Sequence, residues 1–563
     1  MEQIVEKALR EPVLDVGGEL RHWIDVLADW LEQKLRERGK QEYVFNGGLS
    51  VSGLQHVGRL RGEVIIPETL RRILEQRGYR VKQYLTLYTQ DAWKGKESQR
   101  RVFSDPEEAG RYTGWPLARV PDPRGCHSSW VDHFWADFGP YISEFTDGRI
   151  EVVTTTELYQ GKLLEFAKLV YERREQVRLV VNKYRGRKPY PENWVPWEPR
   201  CQKCGRIDST EAKTIDWEKG VVEYKCGYCG AQGKAPVGDG KLNWRIEWVG
   251  VWWALQVDFE PYGKDHATPG GSRDSAKDLA VNVFSVAPPE GIPYEWVAVK
   301  ESGQQADMSS SDFIGFTPRE WLEVAHPEIL RFLYLRTPPM KKVVLSLYEI
   351  PQYYNQYYKA ERIYYGLEKA RDKKEEVLLK RSYELSYTRN SPPPQPPAQP
   401  PYTHTAILVQ ILPKDKWLEE ALKRLQKTGH MPKKPTSFDI ERLKTLLPKA
   451  ANWVERYAPQ QMRIKIVEEP PKQELAKMPK DILEAMAKLA KMLETLEEWN
   501  EDNIKKAMIE LSKDWSQAKR REFYKAFYLA FVGKPEGPRA APLLALLDKD
   551  FVVQRLLEAS SPT

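Results

Sequence analysis

Four of the five cysteines in this 563-residue chain fall into two tight pairs, Cys201-x-x-Cys204 and Cys226-x-x-Cys229, separated by 21 residues. Four thiolates presented by two short turns form the tetrahedral shell that Zn2+ prefers, and Gly205, Gly227 and Gly230 let the backbone fold round an ion. Four protein ligands leave no open position for water, so the expected role is structural. A redox dithiol, the alternative, needs only one pair and a thioredoxin-like setting. A second group of residues is Gly48-Leu-Ser50-Val-Ser52-Gly53-Leu-Gln-His56-Val-Gly58-Arg59. Histidine followed two residues later by glycine, at the start of a helical pattern, allows close backbone approach to a nucleotide, and helix N-terminal amides favour phosphate. An ordinary glycine-rich turn with a solvated histidine has the same spelling. A third group, Met308-Ser309-Ser310-Ser311, puts three hydroxyls in one loop. It suits phosphate oxygens, or a serine-rich linker.

The elements that must carry these groups are legible in outline. Trp23, Val26, Leu27, Trp30, Leu31 and Leu35 recur at helical spacing over residues 22–35. Glu42-Tyr-Val-Phe45 reads as a short buried strand running into a turn-forming stretch, Asn46-Gly-Gly-Leu-Ser-Val-Ser-Gly53, with a helix expected from about Gln55. A second strand is expected at Val81 to Tyr88, completing a βαβ unit; strand, glycine-rich turn and helix in that order open a parallel α/β sheet, which binds ligands where its strands end. Residues 201–230 read as an insert, residues 278–300 as a return to strands, and Thr317-Pro-Arg-Glu320 as a capping box. Ser391 to Pro401 holds seven prolines in eleven positions and reads as a stiff polyproline-like connector. Beyond it the chain is mostly helical, with Leu483, Met486, Leu489, Ala490, Leu493 and Leu496 in helical register.

Composition bounds the class. The chain is 41% hydrophobic and 30% charged, and its formal net charge is +7; at roughly 150 residues per domain, three to four domains are expected. A small excess of that size selects no partner by itself. Apolar runs such as Val249 to Leu255 are far shorter than the roughly 20 residues that span a bilayer, and the charged start without an apolar stretch argues against a secretory signal. The expectation is a cytoplasmic, multi-domain protein with no membrane partner. Five cysteines are too few for a disulfide scaffold.

Taken together, the His-x-Gly turn and the Met-Ser-x-Ser loop resemble the HIGH and KMSKS signatures of class I aminoacyl-tRNA synthetases. More narrowly, the chain resembles the class I, mainly archaeal, lysyl-tRNA synthetases. The resemblance is colinear over nearly the whole chain, through Pro121-Asp-Pro-Arg-Gly-Cys-His-Ser128, Thr156-Glu-Leu-Tyr159, the paired CxxC, Lys241-Leu-Asn-Trp-Arg245, Phe259-Glu-Pro-Tyr-Gly-Lys-Asp-His266, Gly270-Gly271-Ser272, Pro293-Tyr294-Glu295, Leu335-Arg-Thr337, Tyr383-Glu-Leu-Ser386, Gly537-Pro-Arg539 and Lys549-Asp-Phe551.

The resemblance implies an α/β fold: a Rossmann-type catalytic domain in two halves, residues 1–110 and 236–312. Between them lie a connective insertion, 111–200, and a zinc module, 201–235. A stem-contact helical region with the Pro-rich connector follows at 313–400, then a helical anticodon-binding domain at 401–563. It implies ATP-dependent activation of lysine, ATP entering with Mg2+, and transfer of the lysyl group to tRNA(Lys). His56, Gly58, Arg59 and Met308 to Ser311 would serve catalysis; Ser52, Gly53, His56, Gly58, Asp265, Gly270 and Gly271 would bind ATP; Gly48, Ser50, Trp248, His266 and Tyr294 match the lysine pocket; and Zn2+ would be structural. The oligomeric state is left open.

Three departures mark the chain. Arg59 stands where most relatives of this kind have Asn, and Val51 where a proline precedes Ser52. The signature loop reads Asp307-Met-Ser-Ser-Ser-Asp312, without its first lysine, and two acids beside a triphosphate are electrostatically unfavourable. Thr89-Gln-Asp91 replaces an acidic cluster. Either other cations, with Arg59, Lys264 and Lys300 as candidates, replace the missing lysine, or the chain is a degenerate paralogue that binds tRNA without charging it. Cys126-His127 carries no expected catalysis, because adjacent side chains usually point apart. Trp244 and Trp252 are expected in the core, as are most of Trp499, Trp515, Phe523, Tyr524, Phe527 and Tyr528. Lys519-Arg520-Arg521 reads as a solvated helix face.

Overall fold

The computed structural model describes residues 2–186 and 188–562. The chain divides into two compact units. The first comprises residues through Trp321 together with Leu330–Leu345 and Lys369–Ser391; the second comprises Leu322–Ile329, Ser346–Glu368 and the chain from Pro392 onward.

In the first unit, helix α1 (Trp23–Arg38) buries Trp23, Val26, Leu27, Trp30, Leu31 and Leu35, as their spacing requires, and stops where Gly39 turns left-handed at φ 62°. Strand β1 (Tyr43–Leu49) then leads through a loop to a helical run that begins at Gly58, passes a π turn at Arg61–Ile65 and continues as α2 (Ile66–Gln76). Strands β2 (Val81–Leu87) and β3 (Ile150–Thr154) follow; β2 pairs in parallel with both β1 and β3. On the far side of β1, Phe45 bridges Phe259 in parallel, and Phe259 bridges Glu290. The three strands and the two bridging segments at Phe259 and Glu290 run in the order β3, β2, β1, 259, 290, the 3-2-1-4-5 order of a dinucleotide-type fold whose switch point lies beside β1.

Three expectations need correction here. Asn46-Gly47-Gly48-Leu49 is strand, not turn. Glycine is required there by crowding: a Cβ on Gly47 would lie 2.2 Å from the Glu63 carbonyl oxygen, and one on Gly48 would lie 2.9 Å from the Tyr88 ring. The helix starts at Gly58 rather than near Gln55. Residues 278–283 are helical, not extended.

The cysteine region forms a three-stranded antiparallel sheet of β4 (Thr210–Asp216), β5 (Val221–Cys226) and β6 (Gln232–Pro236). Helix α3 (Trp244–Leu255) and helix α4 (Ser272–Asp278) follow, then the hairpin of β7 (Val297–Glu301) and β8 (Gln304–Asp307). The capping box forms as spelled: Thr317 N donates to Glu320 at 2.7 Å, and Glu320 N donates to the Thr317 hydroxyl at 3.2 Å.

The second unit is built of helices, among them α5 (Tyr402–Ile411), α6 (Trp417–Lys427), α7 (Ser437–Arg456) and α8 (Glu501–Ser512). The later residues of the proline-rich segment are anchored within this unit: Ala398 N donates to Asp439 at 2.7 Å, and Gln399 donates to the Tyr358 carbonyl at 3.0 Å. Phe523 and Phe527 are buried, as their spacing requires. Lys519 is only partly exposed and pairs with Asp481 at 2.6 Å. No helix among the described residues is long and apolar enough to cross a membrane.

Candidate active site

The carboxyl end of β1 carries Gly48, then half-buried Ser50 and Ser52. Just beyond, His56 is buried, and its Nδ1 has no hydrogen-bond partner. Burial, reinforced by the Arg59 charge, holds its pKa well below the usual imidazole value. His56 is therefore neutral at physiological pH, a hydrogen-bonding group rather than a cation. Gly58 keeps the space beside it: a Cβ there would lie 2.9 Å from His56 Nδ1.

The loop from Met308 meets this turn. Met308 N donates to Val297 O, and Ser309 and Ile314 exchange backbone hydrogen bonds of 2.9 and 3.0 Å, closing the loop on itself. Arg59 Nε donates to Ser310 Oγ at 2.8 Å. A Cβ on Gly53 would strike the Ser310 carbonyl at 2.4 Å, and one on Gly315 would lie 3.0 Å from Met308 and 3.1 Å from His56. The two signature segments, about 250 residues apart in sequence, thus share one surface.

The acids of the loop are both compensated. Lys96 Nζ donates to Asp312 and to Ser311 Oγ, each at 2.9 Å, and Ser98 Oγ binds the Ser311 carbonyl at 2.7 Å. Lys342 Nζ donates to Asp307 at 2.7 Å. Hydrogen bonding to Lys96 holds the Asp312 carboxyl below its ordinary pKa. Of the cations named from sequence, Arg59 reaches the loop, whereas Lys264 is paired with Glu295 at 2.7 Å. Lys300 lies on β7, opposite Gln305. Lys96 and Lys342 come from distant segments, so no local pattern announces them. Asp91 likewise has a distant cation: buried Lys241 lies 3.0 Å from it and 3.1 Å from Glu247.

On the other side of the switch point, two carboxylates to which the sequence assigned no role, Glu63 and Glu260, organise residues that had one. Glu63, in the π turn, accepts from Gly48 N at 2.8 Å and from the Tyr294 hydroxyl. Burial raises its pKa to about 7. Glu260 accepts from Trp248 Nε1 at 2.6 Å, Trp252 Nε1 at 3.1 Å and Asn46 Nδ2 at 2.9 Å, and Thr86 in turn donates to Asn46. The His266 ring lies 5.4 Å from both Trp244 and Trp248, and its Nδ1 is 2.7 Å from Ser272 Oγ. Trp252 is core, as expected, but Trp244 is only half buried and stacks on Trp248 at 5.2 Å. Tyr88 belongs to this side too: its buried hydroxyl has no partner, and its ring fills the space that the glycine at 48 leaves. Asp265 lies in a 3-10 turn beside His266; Gly270, at φ 71°, donates its N–H to Asp274, and Gly271 caps α4.

Two donor clusters in this unit fit metal. The Cys201–Cys229 and Cys204–Cys226 sulfur pairs are each 3.7 Å apart, and all four sulfurs lie within 4.8 Å of one another. Four sulfurs about 2.3 Å from one ion stand about 3.8 Å apart in a tetrahedron. Gly205 and Gly230, at φ 79° and 71°, make the turns; a thioredoxin-like setting is not what surrounds them. The second cluster corrects an expectation: Cys126 and His127 converge, with Sγ 3.1 Å from Nδ1, and Asp122 and His133 join them. The short helix Trp130–Trp135, capped by Ser129, turns His133 back over the loop. The pattern Asp-x3-Cys-His-x5-His was the signal available in the sequence.

The model of the class I synthetase family marked (K) matches residues 21–389, and an anticodon binding domain model matches residues 439–560. The chain is 58% identical to a lysine–tRNA ligase of Aeropyrum pernix, over 96% of this chain and 98% of that one. A lysine–tRNA ligase of Pyrococcus horikoshii is 35% identical, over 95% of this chain and 99% of its own. One of Archaeoglobus fulgidus is 31% identical, over 96% and 100%. With an HIGH-like turn and a KMSKS-like loop meeting at the end of a 3-2-1-4-5 sheet, this chain belongs to the class I lysyl-tRNA synthetase family.

Proposed function

We propose that this chain joins lysine to ATP, releasing pyrophosphate, and passes the lysyl group from the adenylate to the terminal ribose of tRNA(Lys). The observation that carries the reading is the Arg59–Ser310 hydrogen bond across the two signature segments, in a loop whose two acids are neutralised by Lys96 and Lys342. In the first step the lysine carboxylate attacks the α-phosphorus and pyrophosphate leaves; in the second a ribose hydroxyl attacks the activated carbonyl and AMP leaves. No protein nucleophile is required, so the side chains act by positioning and by stabilising charge on the phosphates.

Neutral His56 donates or accepts a hydrogen bond at the nucleotide, Gly58 and Gly53 admit it closely, and Arg59 with the loop hydroxyls of Ser309, Ser310 and Ser311 faces the phosphates. Asp265, Gly270 and Gly271 lie toward the adenosine. Gly48, Ser50, Trp248, His266 and Tyr294 bound the lysine, with Glu63 and Glu260 fixing several of the elements that present them. The orphan Tyr88 hydroxyl is a further hydrogen-bonding group for the amino acid.

Cys201, Cys204, Cys226 and Cys229 would hold Zn2+, and Asp122, Cys126, His127 and His133 a second ion; metal bound there cross-links loops and supplies no chemistry to the reaction. The helical unit would read the anticodon. The test is charging of tRNA with labelled lysine: ATP-dependent formation of lysyl-tRNA is expected, and none with metal-replete protein contradicts the reading.

A further inference from the structure

The helical unit contains a third cluster of metal-ligating side chains, apart from those already described: His404, His430 and Glu501, one donor atom of each lying within 4.8 Å of the others. They come from three places that only folding brings together. His404 is in the first turn of α5. His430 follows α6 across a left-handed Gly429, φ 78°, and its own N–H closes the turn on the Leu425 carbonyl at 2.9 Å. Glu501 is the first residue of α8, held in place because the preceding Asn500 caps that helix.

The ligand-seeking atoms are identifiable. His404 is 6% exposed and His430 is half-buried, with ring centroids 4.6 Å apart at 69°. His404 Nε2 lies 3.0 Å from Glu501 Oε2. His404 Nδ1 and His430 Nε2 are buried without any hydrogen-bond partner. Buried polar atoms left unpaired cost free energy, and two in one cluster of imidazoles call for a bound species. His430 and Glu501 also line a cavity of about 880 Å³ bounded by Arg424, Lys427, Trp499 and Lys549.

We propose that His404, His430 and Glu501 bind a divalent transition-metal ion of the zinc type, with an open coordination position. Two imidazoles and a carboxylate, with no thiolate, suit Zn2+ and its neighbours Co2+ and Ni2+ rather than a soft monovalent ion or an oxygen-seeking Mg2+. Donors about 2.1 Å from one ion stand about 3.4 Å apart; the His404–Glu501 pair is already at 3.0 Å, and all three donors lie within 4.8 Å, so small side-chain adjustments suffice. The four-cysteine set is closed; three protein ligands leave a fourth position for water.

The experiment compares the full chain with His430→Gln and Glu501→Gln, each equilibrated with Zn2+ and freed of excess before metal analysis. Each variant is expected to hold one equivalent less than the unaltered chain, with unchanged circular dichroism. Equal metal content in all three overturns the proposal. A second measurement needs no variant: crystals of the unaltered chain grown with Zn2+ are expected to give an anomalous peak at the zinc edge between His404, His430 and Glu501, and no peak there overturns it.

Discussion

The two sides of the active site are built on different physics. On the side proposed for the amino acid, Glu63 and Glu260 are buried, and nearly every polar atom around them is committed to a specific partner. On the side proposed for the phosphates, the Asp312–Lys96 and Asp307–Lys342 pairs are each close to 40% exposed. Exposed ion pairs are worth little individually and can be supplied from many places, whereas a buried acceptor serving three donors has no substitute. The cations opposite Asp307 and Asp312, Lys342 and Lys96, come from elsewhere in the fold.

The largest expected effect therefore falls on the buried side. Glu260→Ala strands the indole N–H groups of Trp248 and Trp252 and the amide of Asn46, and should cost roughly 3–5 kcal/mol of stability in denaturant titration. A loss below about 1 kcal/mol would break the contrast. His56→Ala should lower lysine-dependent adenylation by about 10²–10³-fold with little change in stability, as for loss of one positioned donor at a reacting phosphate.

The pH dependence sharpens the contrast. Glu63 has a native pKa of about 7, above the ordinary 4.5, so the native state retains a proton that the unfolded chain releases. Its contribution to stability is complete below about pH 4.5, declines as pH rises to about 7, and changes no further above that; a shift of this size amounts to about 3 kcal/mol. Glu247 titrates in the same sense. Glu63→Gln should flatten the stability profile between about pH 5 and 7, leaving the part due to Glu247; an unchanged slope contradicts a buried, protonatable Glu63. The smallest effect is on the exposed side. Lys96→Ala should raise the KM for ATP by several-fold, more at low salt, and Lys96→Ala combined with Asp312→Ala should recover most of it. No recovery in the double variant would mean that Lys96 acts otherwise than by neutralising Asp312.

What the sequence made legible follows from range. Helix α1, the capping box at Thr317 and the four-cysteine donor set are local patterns, and each is found as spelled. Gly47 and Gly48 read as a turn because glycine's usual reason is conformational; here the reason is steric, set by Glu63 and Tyr88 from other elements. Lys96, Lys342 and Glu63 were invisible for the same reason, since these partners lie between 15 and 231 residues away. Adjacency suggested that Cys126 and His127 point apart, yet their Sγ and Nδ1 lie 3.1 Å apart, in a cluster with Asp122 and His133.

An acidic signature loop neutralised by Lys96 and Lys342 is expected still to support adenylation. Its most direct measurement is lysine-dependent exchange of labelled pyrophosphate into ATP by the purified, metal-replete chain, without tRNA. Exchange well above the lysine-free background is expected, falling on His56→Ala; exchange no greater than that background would contradict it.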